Sequence, residues 1–198
     1  MIKNVIFDIG NVLLDFCWKD HIARFGFQGE KADRIAQAMM LGPIWPKLDL
    51  GLESDEDILE QFVAHTPELE QEIRLVFSDL STIVREYEGS VDWIESLKAR
   101  GYHTYYLSNY GERIRREASK ELSFLSHMDG GIMSYMVHLA KPDPAIYQTL
   151  LDRYGLKAEE CVFLDDTVRN VEAAQALGIA GIVVTSQEQA KKELETLL

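Results

Sequence analysis

The stretch VIFDIGNVLLD, residues 5–15, decides how the chain is read. Val5-Ile6-Phe7 is an uninterrupted apolar run, the pattern of a strand buried on both faces. It ends on Asp8, and Gly10-Asn11 follows as turn chemistry, because both residues tolerate backbone that other side chains resist. A carboxylate that closes a buried strand is either a cap for the turn or a rigidly held reactive group. The stretch alone does not separate the two, so the other strand ends have to.

Three further β-branched or aromatic runs are HTYYLSN (103–109), CVFLDD (161–166) and AGIVVT (180–185). Helical patterns separate them. Residues 90–101 carry apolar positions 91, 94 and 97 and close on Gly101. Residues 142–155 open with Asp143 as N-cap and Pro144 at the first helical position. Residues 168–177 run to Gly178. Strand and helix alternate, which predicts an α/β fold with a parallel sheet covered on both faces. Ligands of such sheets sit beyond the carboxyl ends of the strands. Asp8, Ser108-Asn109 and Asp165-Asp166 are expected to converge there.

Residues 16–88 break the alternation and show no convincing strand. Helices are expected at 19–26, 30–41, 54–65 and 66–81, with Ser54 and Asp57 as a capping-box variant and Thr66-Pro67 as a start signal. GPIWPKLDLGL, 42–52, reads as a Gly/Pro-rich loop. The chain thus divides into a core of residues 1–15 and 89–198 and an inserted helical domain of residues 16–88. The insertion holds seven Lys/Arg against fifteen Asp/Glu; its acids read as solvated helix faces.

Composition sets outer bounds. A chain of 198 residues with 46% hydrophobic and 27% charged residues is long enough for one real core. Its net charge of −13 argues against a broad nucleic-acid or anionic-membrane surface, and no run is apolar enough for a membrane span. Cys17 and Cys161 have no metal-ligand spacing and read as buried thiols of a reducing compartment. The start lacks the apolar run of a secretory signal, so the expected location is the cytoplasm; a monomer or small homo-oligomer is expected. The five histidines and Tyr105, Tyr106 and Tyr110 read as packing or surface residues.

The converging residues fit phosphoryl transfer. A carboxylate fixed at a strand end can attack phosphorus. Carboxylate and phosphate repel, and magnesium, bound through oxygen ligands, relieves both. Asp8, Asp166 and a backbone carbonyl can supply those oxygens, while Ser108 and Lys141 can hold the remaining phosphate oxygens.

In this order the segments FDIGNVLLD, YYLSN, AKPDPAIY and FLDDTVRNVEAAQALG resemble the four motifs of the haloacid dehalogenase superfamily of hydrolases, over residues 3–15 and about 89–186. The chain is similar to the branch with a helical cap after the first strand, and to sugar-phosphate phosphatases with an FDxGNV opening. The resemblance implies a Rossmann-like core, an aspartyl-phosphate intermediate, Mg2+ and a small phosphate ester as substrate. It implies Asp8 as nucleophile and metal ligand, with the Gly10 carbonyl, Asp166 and Asp165 at the metal. Asp165 and Asn170 are further expected to orient water or Lys141. Ser108, Asn109 and Lys141 would bind phosphate, and Lys141 would steady Asp8. Trp45 and Lys47, in the cap loop, are candidates for substrate contact; Trp45 and Trp18 are equally readable as packing between cap helices.

Gly10 departs from the family pattern, which places an acid two residues after the nucleophile. That acid protonates the leaving oxygen and later activates water, a contribution of about 10²–10⁴ in rate. Three readings stay open: a substrate with a good leaving group such as a hexose 1-phosphate, a substitute group such as Asp15 or a water, or a weak or non-catalytic phosphate-binding protein. The metal-free haloacid dehalogenases also lack this acid. Asp165-Asp166 beside Asp8, without a cation, would be electrostatically costly in such an enzyme.

Overall fold

The computed structural model describes residues 1–198. Seven strands form: β1 (Asn4–Phe7), β2 (Leu14–Phe16), β3 (Val84–Glu86), β4 (His103–Ser108), β5 (Gly130–Met133), β6 (Cys161–Asp165) and β7 (Ala180–Val183). Five make one sheet in the order β5-β4-β1-β6-β7, with every pairing parallel. Phe7 pairs with Tyr106 on one side and Leu164 on the other. Asp8, Ser108 and Asp165 therefore emerge side by side at the carboxyl edge, with β1 central.

The alternation of side chains along β1 builds two cores. Val5 and Phe7 join one cluster, and Ile6 joins another on the opposite face. The first face is covered by α6 (Ser90–Ala99) through Trp93, Ile94 and Leu97, and by a C-terminal helix, Gln187–Glu195, through Ala190 and Leu194. The second is covered by Tyr147 and Leu150 of the helix Pro144–Tyr154 and by Ala174 of the helix Val168–Ala176. All four positions of β1 are buried, as the apolar run demanded. Asp143 caps Pro144–Tyr154 by accepting the Ala145 N–H at 2.9 Å, and Pro144 stands first in that helix.

Between β2 and β3 lie five helices: α1 (Trp18–Arg24), α2 (Gly29–Ala38), α3 (Trp45–Leu50), α4 (Asp55–His65) and α5 (Glu70–Phe77). Past α6, the remaining helices are α7 (Glu112–Glu117), α8 (Pro144–Tyr154), α9 (Val168–Ala176) and α10 (Gln187–Glu195). Ile58, Phe62 and Phe77 of the five-helix segment share one continuous cluster with Val5 and Phe7 of the sheet. Cys17 and Cys161 are buried free thiols. No helix is long and apolar enough to cross a membrane.

Four expectations need correction. Residues 16–88 do hold a strand: β3 pairs antiparallel with β2, Leu14 opposite Glu86, as a two-stranded ribbon through which the chain enters and leaves the helical segment. Three residues are too few to show a period of two. The loop 42–52 contains α3, which Pro46 begins and Gly51, in left-handed backbone at φ 64, ends. The helix expected at 66–81 is a single 3-10 turn, Pro67–Leu69, followed by the shorter α5. Strand β5 escaped notice because it opens with two glycines. A Cβ on Gly131 would lie 2.4 Å from the Tyr106 carbonyl oxygen, so close packing on β4 selects glycine there.

Candidate active site

Asp8 follows the last residue of β1 and is nearly buried. Its N–H bonds the Leu164 carbonyl at 2.8 Å, which extends the β1–β6 ladder by one residue and fixes the Cα. Its Oδ1 accepts the Ile9 N–H at 2.7 Å. The chain then turns back at Asn11, whose φ of 55 explains the choice of asparagine. The Asn11 side chain also works across the site, donating to Asp166 Oδ2 at 2.9 Å. A Cβ on Gly10 would meet nothing within 4 Å, so steric fit does not explain this glycine.

Lys141 sits between two carboxylates. Its Nζ is 2.9 Å from Asp8 Oδ1 and 2.6 Å from Asp165 Oδ2, and its side chain is 1% exposed. Burial opposes the ammonium, but Asp8 and Asp165 outweigh it and hold the Lys141 pKa above its ordinary value. For Asp8 burial wins: together with Asp165 it raises the carboxyl to about 7, against the lowering effects of Lys141 and of a Ser108 hydrogen bond. The Lys141 backbone is gripped by the Asn109 side chain, which donates to the Lys141 carbonyl at 3.0 Å and accepts its N–H at 2.8 Å. Asn109 thus spends its amide on positioning Lys141.

The two acids at the end of β6, Asp165 within it and Asp166 just past it, are placed differently. Asp165 is fully buried, and both its oxygens are taken: Thr167 N–H at 2.7 Å, Asn170 Nδ2 at 3.1 Å to each oxygen, and Lys141. It stands behind Lys141, off the cavity wall. Asp166 is on the wall. One carboxylate oxygen each from Asp8, Asp165 and Asp166 lies within 4.8 Å of the others. Three carboxylates share one ammonium, so the cluster has room and charge for a cation.

Asp8, Lys141 and Asp166 floor a cavity of 280 Å³ that also has Gly10, Ser108 and Asn109 on its wall. Helix α3 forms the facing side. Trp45 and Asp49, four residues apart, share the helix face toward the cavity. Trp45 is also packed, 6.1 Å from Phe16 and 6.2 Å from Phe62 between ring centroids, as the packing reading expected, while it borders the cavity. Lys47 lies two residues on and points away. Its ammonium donates to Gln61 Oε1 at 2.7 Å and is 3.9 Å from Glu53, outside the cavity. The loop reading of 42–52 could not assign these opposite faces. Sequence reasoning also passed over Asn11, Asp49 and Arg169, all on the wall. The spacing of Trp45 and Asp49 between a proline and a glycine was the one signal for Asp49. Asp15 is off the wall and takes a hydrogen bond from the Cys17 thiol at 3.2 Å.

A family model for haloacid dehalogenase-like hydrolases matches residues 2–178. The chain belongs to this family of hydrolases. Among relatives, acyl-CoA dehydrogenase family member 10 of Mus musculus is 32% identical over 207 residues, covering 99% of this chain but only 19% of that protein. The sesquiterpene phosphatase astK of Aspergillus oryzae is 25% identical over 201 residues, covering 99% of this chain and 96% of its own. The fold matches a HAD family enzyme of Bacteroides thetaiotaomicron, crystallised with magnesium and inorganic phosphate. The TM-score is 0.72 at 22% identity, over 94% of this chain and 96% of that one.

Proposed function

We propose that this chain is a magnesium-dependent phosphomonoesterase that hydrolyses a small phosphorylated metabolite through an aspartyl phosphate on Asp8. The observation that carries the reading is the charge count at the floor of the cavity. Lys141 balances one carboxylate of three, and burial holds the Asp8 pKa at about 7 without further countercharge. Asp8, Asp166 and the Gly10 carbonyl would hold the cation, an all-oxygen donor set suited to magnesium. When bound, magnesium supplies the charge neutralisation that lets a phosphate dianion sit beside a carboxylate.

The residues divide the remaining chemistry. The Asp8 carboxylate attacks phosphorus and the ester oxygen leaves; water then cleaves the acyl phosphate and regenerates Asp8. Ser108 and Lys141 hold phosphate oxygens as charge redistributes in the transition state. Asp165, Asn170 and Asn109 keep Lys141 in place. Residues 16–88 act as a cap over a core formed by residues 1–15 and 89–198, and the α3 face of that cap selects the substrate. The indole of Trp45 on the wall and the FDxGNV opening favour a sugar phosphate, such as a hexose 1-phosphate. The sesquiterpene phosphatase relative supports the reaction class without naming the substrate.

A panel of metabolite phosphates assayed with magnesium and with EDTA tests this. Turnover that depends on the metal and vanishes in Asp8→Asn is expected; turnover indifferent to EDTA sinks it. A metal-free 2-haloacid dehalogenase is the competing reaction class, and halide release from a 2-haloalkanoate would favour it.

A further inference from the structure

Gly10 leaves the site without the acid that protonates the departing oxygen. We propose that Asp49 of α3 performs this proton transfer from the opposite wall of the cavity. The inference rests on the phosphatase reading above.

Asp49 lines the same cavity as Asp8, Gly10, Ser108 and Lys141. Its carboxyl has no cationic partner, and its hydrogen bond comes from the Gly111 N–H. Apart from the Gly111 N–H the carboxyl is held by no other group, and the residue borders the cavity.

The backbone around Asp49 is pinned to the loops that deliver the floor residues. The buried Ser134 hydroxyl donates to the Asp49 carbonyl and accepts the Tyr110 N–H at 2.9 Å, two residues past Ser108. The His138 ring donates to the Leu50 carbonyl at 2.9 Å. Two glycines permit this docking. A Cβ on Gly51 would sit 2.9 Å from Tyr135 Cβ, and one on Gly111 would sit 3.2 Å from the Leu48 carbonyl oxygen. Such anchoring on both sides of Asp49 is the preorganisation a proton-transfer group requires.

Other groups fit the role less well. Asp15 is off the wall, and Asp165 has both oxygens engaged. The Tyr110 hydroxyl is buried without a partner, but burial drives its pKa far above neutrality. Asp49 is raised to about 7, first by burial and then by the Asp8 carboxylate, against the Gly111 N–H. A group poised near neutrality serves as acid in one half-reaction and base in the other.

The steps balance. As an Asp8 oxygen bonds to phosphorus, the phosphorus–ester oxygen bond breaks, and the departing oxygen takes the Asp49 proton to become the free alcohol. Asp49, now a carboxylate, takes a proton from water. The water oxygen attacks phosphorus, the bond between Asp8 and phosphorus breaks, and inorganic phosphate leaves.

The test compares wild type and Asp49→Asn, both with magnesium, on two probes: p-nitrophenyl phosphate, whose phenolate needs no proton, and β-glycerol phosphate, whose alkoxide does. Asp49→Asn is expected to lose about 10²–10⁴ in kcat/KM on the alkyl ester and less than about tenfold on the aryl ester. Stopped flow should show a burst near one nitrophenolate per active site, because the phosphorylated enzyme accumulates. Adding Gly10→Asp to Asp49→Asn should restore alkyl turnover at least about tenfold, since the space beside Gly10 is empty. Should Asp49→Asn melt early, Asp49→Ser carries the same expected pattern. Equal loss on both esters with no burst overturns the proposal, as does a higher KM at unchanged kcat, which marks a hydroxyl-binding role. Loss of the phosphatase reading is a separate result: wild type would hydrolyse neither ester, or Asp8→Asn would stay active.

Discussion

Two walls of one cavity are built on opposite rules. On the floor, Asp8, Ser108, Asn109, Asp165 and Asp166 stand at a strand end or one residue beyond it, Lys141 enters from the loop before α8, and every buried charge is partnered: Lys141 with Asp8 and Asp165, Asp165 with Asn170. On the facing wall, a six-residue helix presents Trp45 and Asp49, and the Asp49 carboxyl has no countercharge. The floor is a packed electrostatic network whose members hold one another. The α3 wall is held by its backbone, through Ser134, His138 and the two glycines, which leaves the Asp49 carboxyl with the Gly111 N–H as its partner. One wall is held by side chains that bind one another; the other is held by its backbone, so the Asp49 carboxyl does not need a charged partner to stay in place.

The contrast can be broken at several points. Asp8→Asn should produce the largest effect, a loss of phosphatase turnover of at least about 10⁴-fold, read in steady-state assays with magnesium. Residual activity near wild type would mean that the floor does no chemistry. Asp165→Asn strands the buried Lys141 ammonium with a single carboxylate, and urea denaturation should register a loss of about 3–5 kcal/mol. Trp45→Ala opens a gap against Phe16 and Phe62 and should cost about 3 kcal/mol in the same measurement.

Asp49 gives a smaller but more specific signal. Its folded pKa of about 7 lies above the ordinary 3.8, so the folded state binds this proton more tightly than the unfolded chain. The stability this provides is complete below the ordinary value and is lost as pH rises through the folded value. The groups that act on it are the neighbouring Asp8 carboxylate and the Gly111 N–H. Asp49→Asn does not titrate, so in metal-free buffer its Tm should rise relative to wild type between about pH 4 and pH 8, by about 2–4 °C for each kcal/mol regained. A constant offset across that range would show that Asp49 is ionised throughout. Lys47→Ala should do least. Its partners Gln61 and Glu53 are surface contacts, so stability should change by less than about 0.5 kcal/mol, and kcat/KM should stay within about twofold.

Legibility followed the same divide. The run Val5–Phe7 and its acid were readable because a doubly covered parallel strand is continuously apolar, and one polar residue at its end stands out. Asp143-Pro144 announced α8 through capping chemistry that is local to a few residues. By contrast, β2, β3 and β5 are three or four residues long, and their pairing partners are distant in sequence. The division between Asp165 and Asp166 was also hidden. Adjacent acids look alike in sequence, and only the path of the chain turns one behind Lys141 and the other onto the cavity wall.

The alternating α/β sheet, the placement of Asp8, Ser108 and Asp166 at its carboxyl edge, and the missing acid at Gly10 are all written in local patterns of apolar runs and their polar ends. Tertiary structure alone decided that Asp49 faces this edge while Lys47 turns away. The face a short helix shows depends on what it docks against, and the docking contacts of α3 come from residues 60 to 90 positions further along the chain.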